Sequence, residues 1–238
     1  MPALILALVP PLTAQLDANN WGKGTSGVTL AVHEEPRQRT SKGTIVWYNL
    51  LGKGFTEGLV YNLWRWVTDR SSPELIMKGV SFDKRGVLVC SGKPGYCSGD
   101  GPDDPINIKT TAMLGEMKRM AVASDDGKVV GFVDAAPFPL ENSDKGCKLS
   151  VVRSSALAVT VVARASGLKA SAPLSITTRY GSEGTTTKAD SGADGSWTQI
   201  VMAQGTKQPS GKAFISVSDG VCNVAVTFDY GPGSNKPQ

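Results

Sequence analysis

A chain of 238 residues with 27 glycines, 14 prolines and only 19% charged residues has the make-up of short strands joined by many tight turns. A helical bundle would carry more Ala, Leu, Glu and Lys. The formal net charge of +4 comes from scattered basic residues, which leaves no electrostatic footprint for nucleic acid, and the single histidine, His33, excludes chemistry that needs two.

Residues 1–15, MPALILALVPPLTAQ, hold an apolar run from Ala3 to Val9 and then a small residue, Ala14, where a signal peptidase could cut. They read as a secretory signal that lacks the usual Lys/Arg start. No other apolar run approaches the roughly 20 residues of a membrane-spanning helix, so no transmembrane segment is expected in the mature chain. Leu16 to Lys23, polar and glycine-containing, reads as a flexible start.

Strand-like runs follow at Gly27 to His33, Thr44 to Gly52, Leu59 to Val67, Glu74 to Phe82, Gly86 to Cys90, Lys118 to Ser124 and Lys128 to Ala135. Within Leu59 to Val67 the side chains alternate. One face carries Tyr61 and Leu63 and the other Trp64 and Trp66, so either Tyr61 or the tryptophan pair should face away from the core. The stretch from Cys97 to Thr111 is too rich in Gly, Pro and Asp for an interior strand, and TAMLGEMKRM after it fits a helical turn or two. A linker is expected from Pro137 to Gly146. The second half then shows about seven short strands with Gly, Asp or Pro between them, the pattern of a sandwich. Residues 233–238 read as a disordered tail.

The two halves repeat each other. VASDDGKVVGFVDAAP, Val122 to Pro137, is matched by VSDGVCNVAVTFDYGP, Val217 to Pro232, and both carry the Asp-Gly signal of a hairpin. A glycine bend, Gly54-Phe55 or Gly167-Leu168, also recurs between strands, and repeats this long imply duplicated domains. On these bends, the Asp-Gly turns and the ending VTFDYG, the chain resembles tandem immunoglobulin-like β-sandwich repeats of secreted and cell-surface bacterial proteins. The expected fold is therefore all-β: residues 1–15 a signal-like segment, 16–145 a first sandwich with a long Cys97 to Thr111 loop, and 146–232 a second. The resemblance implies adhesin-like spacers or binding modules and names no ligand. Antibody-type Cys…Trp…Cys spacing is lacking in each half, since Trp197 lies too late between Cys147 and Cys222.

Four cysteines suit an exported chain. The loop SGKPGY can bring Cys90 and Cys97 together across a turn, and Cys147 pairs by expectation with Cys222, although four cysteines allow three connectivities. The second bridge would close a long loop worth about 4 to 5 kcal/mol in the chain-entropy model. Zinc ligation is the competing reading, and the spacing lacks paired C-x-x-C elements.

The candidate sites are few. Trp47, Tyr48, Tyr61, Trp64 and Trp66 gather aromatic surface in the first half; Tyr61, Trp64 and Trp66 are the expected contacts for a partner, against a reading in which the rings fill the core. Asp100, Asp103 and Asp104 form an acidic loop that could offer oxygens to calcium, against a solvated turn in which Asp caps local amides. Asp190 and Asp194 form a second acidic turn. His33 precedes Glu34 and Glu35, but neither G-x-S-x-G nor H-E-x-x-H is present. The expected function is a secreted, non-catalytic binding module of the cell envelope or extracellular space that recognises a polymer or protein partner, with a structural spacer or assembly subunit without a ligand of its own as the alternative and no cofactor beyond calcium.

Overall fold

The computed structural model describes residues 16–40, 43–67, 71–92, 97, 104–111, 114–153, 160–202 and 209–231. The signal-like segment, the tail, Asp100 and Asp103 lie outside them. The described residues are all-β. The N-terminal half holds β1 (Thr29–Glu34), β2 (Gln38–Thr40), β3 (Gly43–Lys53), β4 (Tyr61–Trp66), β5 (Glu74–Phe82), β6 (Leu88–Cys90), β7 (Ile108–Thr111), β8 (Lys118–Ser124) and β9 (Val130–Ala135). The C-terminal half holds β10 (Leu140–Asp144), β11 (Cys147–Arg153), β12 (Thr160–Ser166), β13 (Pro173–Tyr180), β14 (Glu183–Asp190), β15 (Trp197–Met202), β16 (Gly211–Ser218) and β17 (Asn223–Tyr230).

In the N-terminal half one sheet runs β1-β3-β2 with β7 also on β3, and the other runs β6-β5-β4-β8-β9. In the C-terminal half the sheets run β10-β11-β12-β15 and β14-β13-β16-β17. Each pair of sheets encloses its own core. Along β3 the residues Val46, Tyr48 and Leu50 point inward and are fully buried, meeting Tyr61, Leu63, Val80, Phe82, Met120 and Val122 from the facing sheet. In the other half Leu149, Val151, Val161 and Ala163 meet Leu174, Ile176, Ala213, Ile215 and Val217. The two-residue period of a strand produces these faces, and each fully buried branched or aromatic side chain contributes about 1.5–3 kcal/mol.

Four expectations are corrected. Leu16 to Lys23 is not a loose start: Leu16 is buried, and Asp17 accepts the amides of Asn19 and Asn20 in a tight turn. Ile108–Thr111 forms a strand, which its Gly-, Pro- and Asp-rich approach hid; it pairs at the edge of β3, where one side of the ladder is open. Among the described residues of TAMLGEMKRM no helix forms, and Lys118–Met120 begins β8, because pairing with β4 and β9 outweighs local propensity. The linker at Pro137 to Gly146 contains β10, which pairs with β11 through a turn at Lys145-Gly146 and puts Leu140 into the C-terminal core. Among the described residues that half thus has eight strands, and its first one lies before the boundary expected at 145/146.

The repeat seen in the sequence returns as backbone geometry. Gly54 has φ +82° and Gly167 φ +71°, the left-handed region that favours glycine. A Cβ at Gly54 would lie 2.3 Å from the Gly27 carbonyl oxygen, and one at Gly167 would lie 2.3 Å from that of Gly146. The closing hairpins match as well. At the first, Ser124 Oγ donates to Asp126 and accepts the amide of Val129. At the second, Ser218 Oγ donates to the Cys222 carbonyl, and Asp219 accepts the amides of Cys222, Lys169 and Val221. Those bonds hold the Asp219 carboxyl down from 3.8 to about 2, the Cys222 amide first and then those of Lys169 and Val221.

Two measurements test this frame. Gly167→Ala should lower stability by at least about 2 kcal/mol in chemical denaturation, because left-handed strain of about 1–2 kcal/mol is joined by backbone overlap. Gly146→Ala, at φ +87° with nothing within 4 Å of its Cβ, should show only the strain. The Asp219 carboxyl has a depressed folded pKa, so its stabilisation is present above the unfolded value of 3.8 and is lost as pH falls through about 2. Asp219→Asn should therefore flatten the loss of thermal stability between pH 4 and pH 2; an unchanged acid limb would contradict this role.

Candidate functional site

Of the three aromatic residues expected to meet a partner, two are in the interior. Tyr61 is fully buried; its ring meets Phe55 edge-on at 5.2 Å, and its hydroxyl accepts the Thr56 amide at 2.9 Å. The predicted alternation holds, with Tyr61 and Leu63 inward and Trp64 on the opposite face. Trp64 is nonetheless only 8% exposed, because Leu16 covers it together with Ala121, Ala123 and Val130. Trp21 extends this cover, 5.5 Å from the Trp66 ring and 5.1 Å from Phe132, both edge-on. Tyr61 and Trp64 are therefore corrected from contact residues to core residues, and Trp66, half-buried, is the one of the three that lines a cavity.

Both expected disulfides form, with Cα separations of 5.6 Å for Cys90–Cys97 and 6.4 Å for Cys147–Cys222. Asp219 lies within 4.8 Å of Cys147 and Cys222, a grouping compact enough for a metal ion. The two sulfurs are bonded to each other, which removes them as zinc ligands. Asp104 is exposed beside Pro105, and its acidic neighbours Asp100 and Asp103 lie outside the described residues.

The best-formed concavity lies between the two N-terminal sheets at the end nearer the C-terminal half. Its volume is about 260 Å³. Tyr48 from β3 and Ile106 and Ile108 around β7 line one side; Leu63, Met77 and Met120 line the other. With Met117, three of the chain's six methionines are here, and their flexible thioethers suit an adaptable apolar wall. Charge gathers at the mouth: Arg65, Lys109, Lys118, Arg119 and Arg153 line it against one carboxylate, Glu116. Arg65 and Lys118 arrive because they continue the inward parity of Leu63 and Met120 to the strand ends. Arg65 pairs with Glu74, Lys118 Nζ lies 2.5 Å from Glu116, and the Arg119 guanidinium sits 5.6 Å over the Trp66 ring.

One polar atom in this wall stands out. The Tyr48 hydroxyl is buried and has no hydrogen-bond partner among the described residues. Burial pushes its pKa up, and the charges of Glu34 and Glu116 add to that against Arg37, so the hydroxyl keeps its proton as a donor. An unsatisfied buried hydroxyl costs about 1–3 kcal/mol, the kind of defect that a ligand acceptor repairs.

The signal for this site in the sequence was slight. Arg65 stands on the same face as Tyr61 and Leu63, and a charge at an inward position marks a strand that reaches an open end. Glu116, Met117 and Lys118 lay in the stretch expected to be helical. A second, shallower depression on the outer face holds Glu35, Pro36, Trp47, Asn49, Pro105 and Asn107, with Asn49 Nδ2 donating to Glu35 at 2.6 Å. His33 is 3.9 Å from Glu35 at the surface.

Scanned against protein-family models the chain matches none, and no curated protein matches it. Among solved structures it is similar to a tetra-tandem repeat in the extending region of a large adhesion protein, with 10% identity and a TM-score of 0.27. The likeness covers 87% of this chain and 50% of that one, so the chain spans about half of the structure it matches. At that TM-score the likeness carries no argument about function. Among the described residues no helix is long and apolar enough to cross a membrane.

If Trp64 is a core residue, Trp64→Ala should cost about 3–5 kcal/mol in chemical denaturation. A variant that kept full stability would return Trp64 to the surface as a contact residue.

Proposed function

We propose that the chain is an exported, non-catalytic recognition module of two sandwich domains, which holds part of a cell-envelope polymer or protein partner in the cavity of its N-terminal half. The observation that carries this reading is the buried Tyr48 hydroxyl, without a partner among the described residues, in the wall of an apolar cavity with a cationic mouth. Ligand sites are concave, mostly apolar and furnished with a few polar groups, and this cavity has that composition. Two disulfides support an oxidising compartment. A binding role is favoured over catalysis by the lining itself. Among the described residues it contains no His, Cys, Ser or Asp, and its one carboxylate, Glu116, is held by Lys118, which leaves no carboxylate pair.

A spacer role is the second reading, and the junction between the halves favours it. Gly115 donates its amide to Phe138 and accepts that of Arg153, while Arg153 reaches the Asp229 carbonyl with Nη2 at 3.0 Å. Backbone bonds thus tie the halves together beyond the single covalent crossing, as a reach-setting rod requires.

Co-sedimentation of the disulfide-bonded protein with washed cell envelopes and insoluble polysaccharides, with and without calcium, separates the two. Recognition predicts saturable binding that Ile108→Trp, which fills the cavity from its edge strand, reduces at least tenfold. Binding unaffected by that substitution would place recognition elsewhere, and absence of binding would leave the spacer reading.

A further inference from the structure

We infer that the group taken into this cavity is a short amphipathic carboxylate: an unbranched apolar body against the methionine and isoleucine wall, with its anionic end between the Tyr48 hydroxyl and the cations of the mouth. This rests on the cavity being the recognition site and specifies what it selects.

Three features select that chemistry. The wall of Leu63, Met77, Ile106, Ile108, Met117 and Met120 offers dispersion contacts and no acceptor or donor from a side chain except the sulfurs, so the body must be apolar. The volume of about 260 Å³ falls just under the roughly 300–1,000 Å³ of sites for larger ligands, which suits a single short chain. At the mouth five lining cations face one lining carboxylate, a set that repels ammonium groups, and the protonated Tyr48 hydroxyl adds a donor for an acceptor with negative charge. Arg119 Nε is a further buried donor with no hydrogen-bond partner among the described residues.

The charge state of the head follows from the same residues. Glu116 lines the cavity and Glu74 already engages Arg65, so part of the cationic field is spent. The field that remains is net positive and favours any anion, and a carboxylate is selected over a phosphate by its smaller, planar head, which leaves more of the roughly 260 Å³ to the apolar body. A carboxylate also accepts one hydrogen bond from Tyr48 and keeps its other lone pairs for Lys118 and its neighbours.

The test is calorimetric titration of the full disulfide-bonded chain with octanoate, octanol, octylammonium and octyl phosphate, each below its micelle-forming concentration. Octanoate should bind saturably at one site, at least about tenfold more tightly than octanol or octyl phosphate, with no binding of octylammonium. Tyr48→Phe should weaken octanoate three- to tenfold while octanol is unchanged, and Lys118→Met should erase most of the preference for octanoate over octanol. A merely structural Tyr48 would shift thermal stability and leave both affinities alone, which would overturn its assigned role. Octanol, octylammonium or octyl phosphate binding as well as octanoate would overturn the carboxylate while leaving the cavity a recognition site. No binding of any probe overturns the inference; envelope binding that remains sensitive to Ile108→Trp would then preserve recognition, and its absence would end both. Should Ile108→Trp fail to fold, the paired Tyr48 and Lys118 titrations decide the matter.

Discussion

Both halves of the molecule depend on one close approach of backbone to backbone. At Gly54 and at Gly167 the chain leaves a strand with positive φ, and its Cα stands so near the carbonyl of Gly27 or Gly146 that a Cβ would come within 2.3 Å of the oxygen. Any side chain there forces strain and overlap together. The approach brings the start of β1 or β11 against the turn that follows β3 or β12, and so holds the corner of each sandwich together. The alternating side chains of those strands can face a common interior only if that corner closes.

The N-terminal half then solves a problem that the C-terminal half does not share. Its β4 and β8 are apolar on both faces: Tyr61, Leu63, Met120 and Val122 on one, Trp64, Ala121 and Ala123 on the other. A two-sheet sandwich buries only one face of each sheet. Leu16 and Trp21, coming before the first strand, cover the second, and edge-on contacts of Trp21 with Trp66 and Phe132 fix that cover in place. The covering ends where β4 ends. There the inward parity delivers Arg65 and Lys118, residues too polar to close the core, and the sandwich stays open as a cavity.

The cavity and the junction share residues. Arg153 lies at the end of β11, is buried, stands 6.0 Å over the Phe228 ring, and also lines the cavity mouth. Burial pulls its pKa down, opposed by the charges of Asp229 and Glu116, and a guanidinium remains charged under such pressure. Its backbone pairs with that of Glu116 in an isolated parallel bridge, so the mouth is framed by both halves of the chain. The cavity mouth and the tie between the halves are therefore built from the same few residues.

Much of this architecture was legible in the residues alone. Alternation marked most of the strands and assigned Tyr61 and Trp64 to opposite faces, because side-chain direction in a strand follows from sequence parity. The repeated glycine bends and Ser-Asp turns were visible because local backbone conformation demands those residue types. The cysteine pairings were expected and formed. The tertiary structure decided the rest. Whether an outward tryptophan is exposed depends on what covers it, and the cover, Leu16 and Trp21, comes from a segment with no strand pattern of its own. Strands β7 and β10 take shape through pairing with partners distant in sequence or beyond a tight turn, which local composition does not encode. The cavity arises only where Tyr48, Arg65, Lys118 and Arg153, from four different strands, meet at one end of the sandwich.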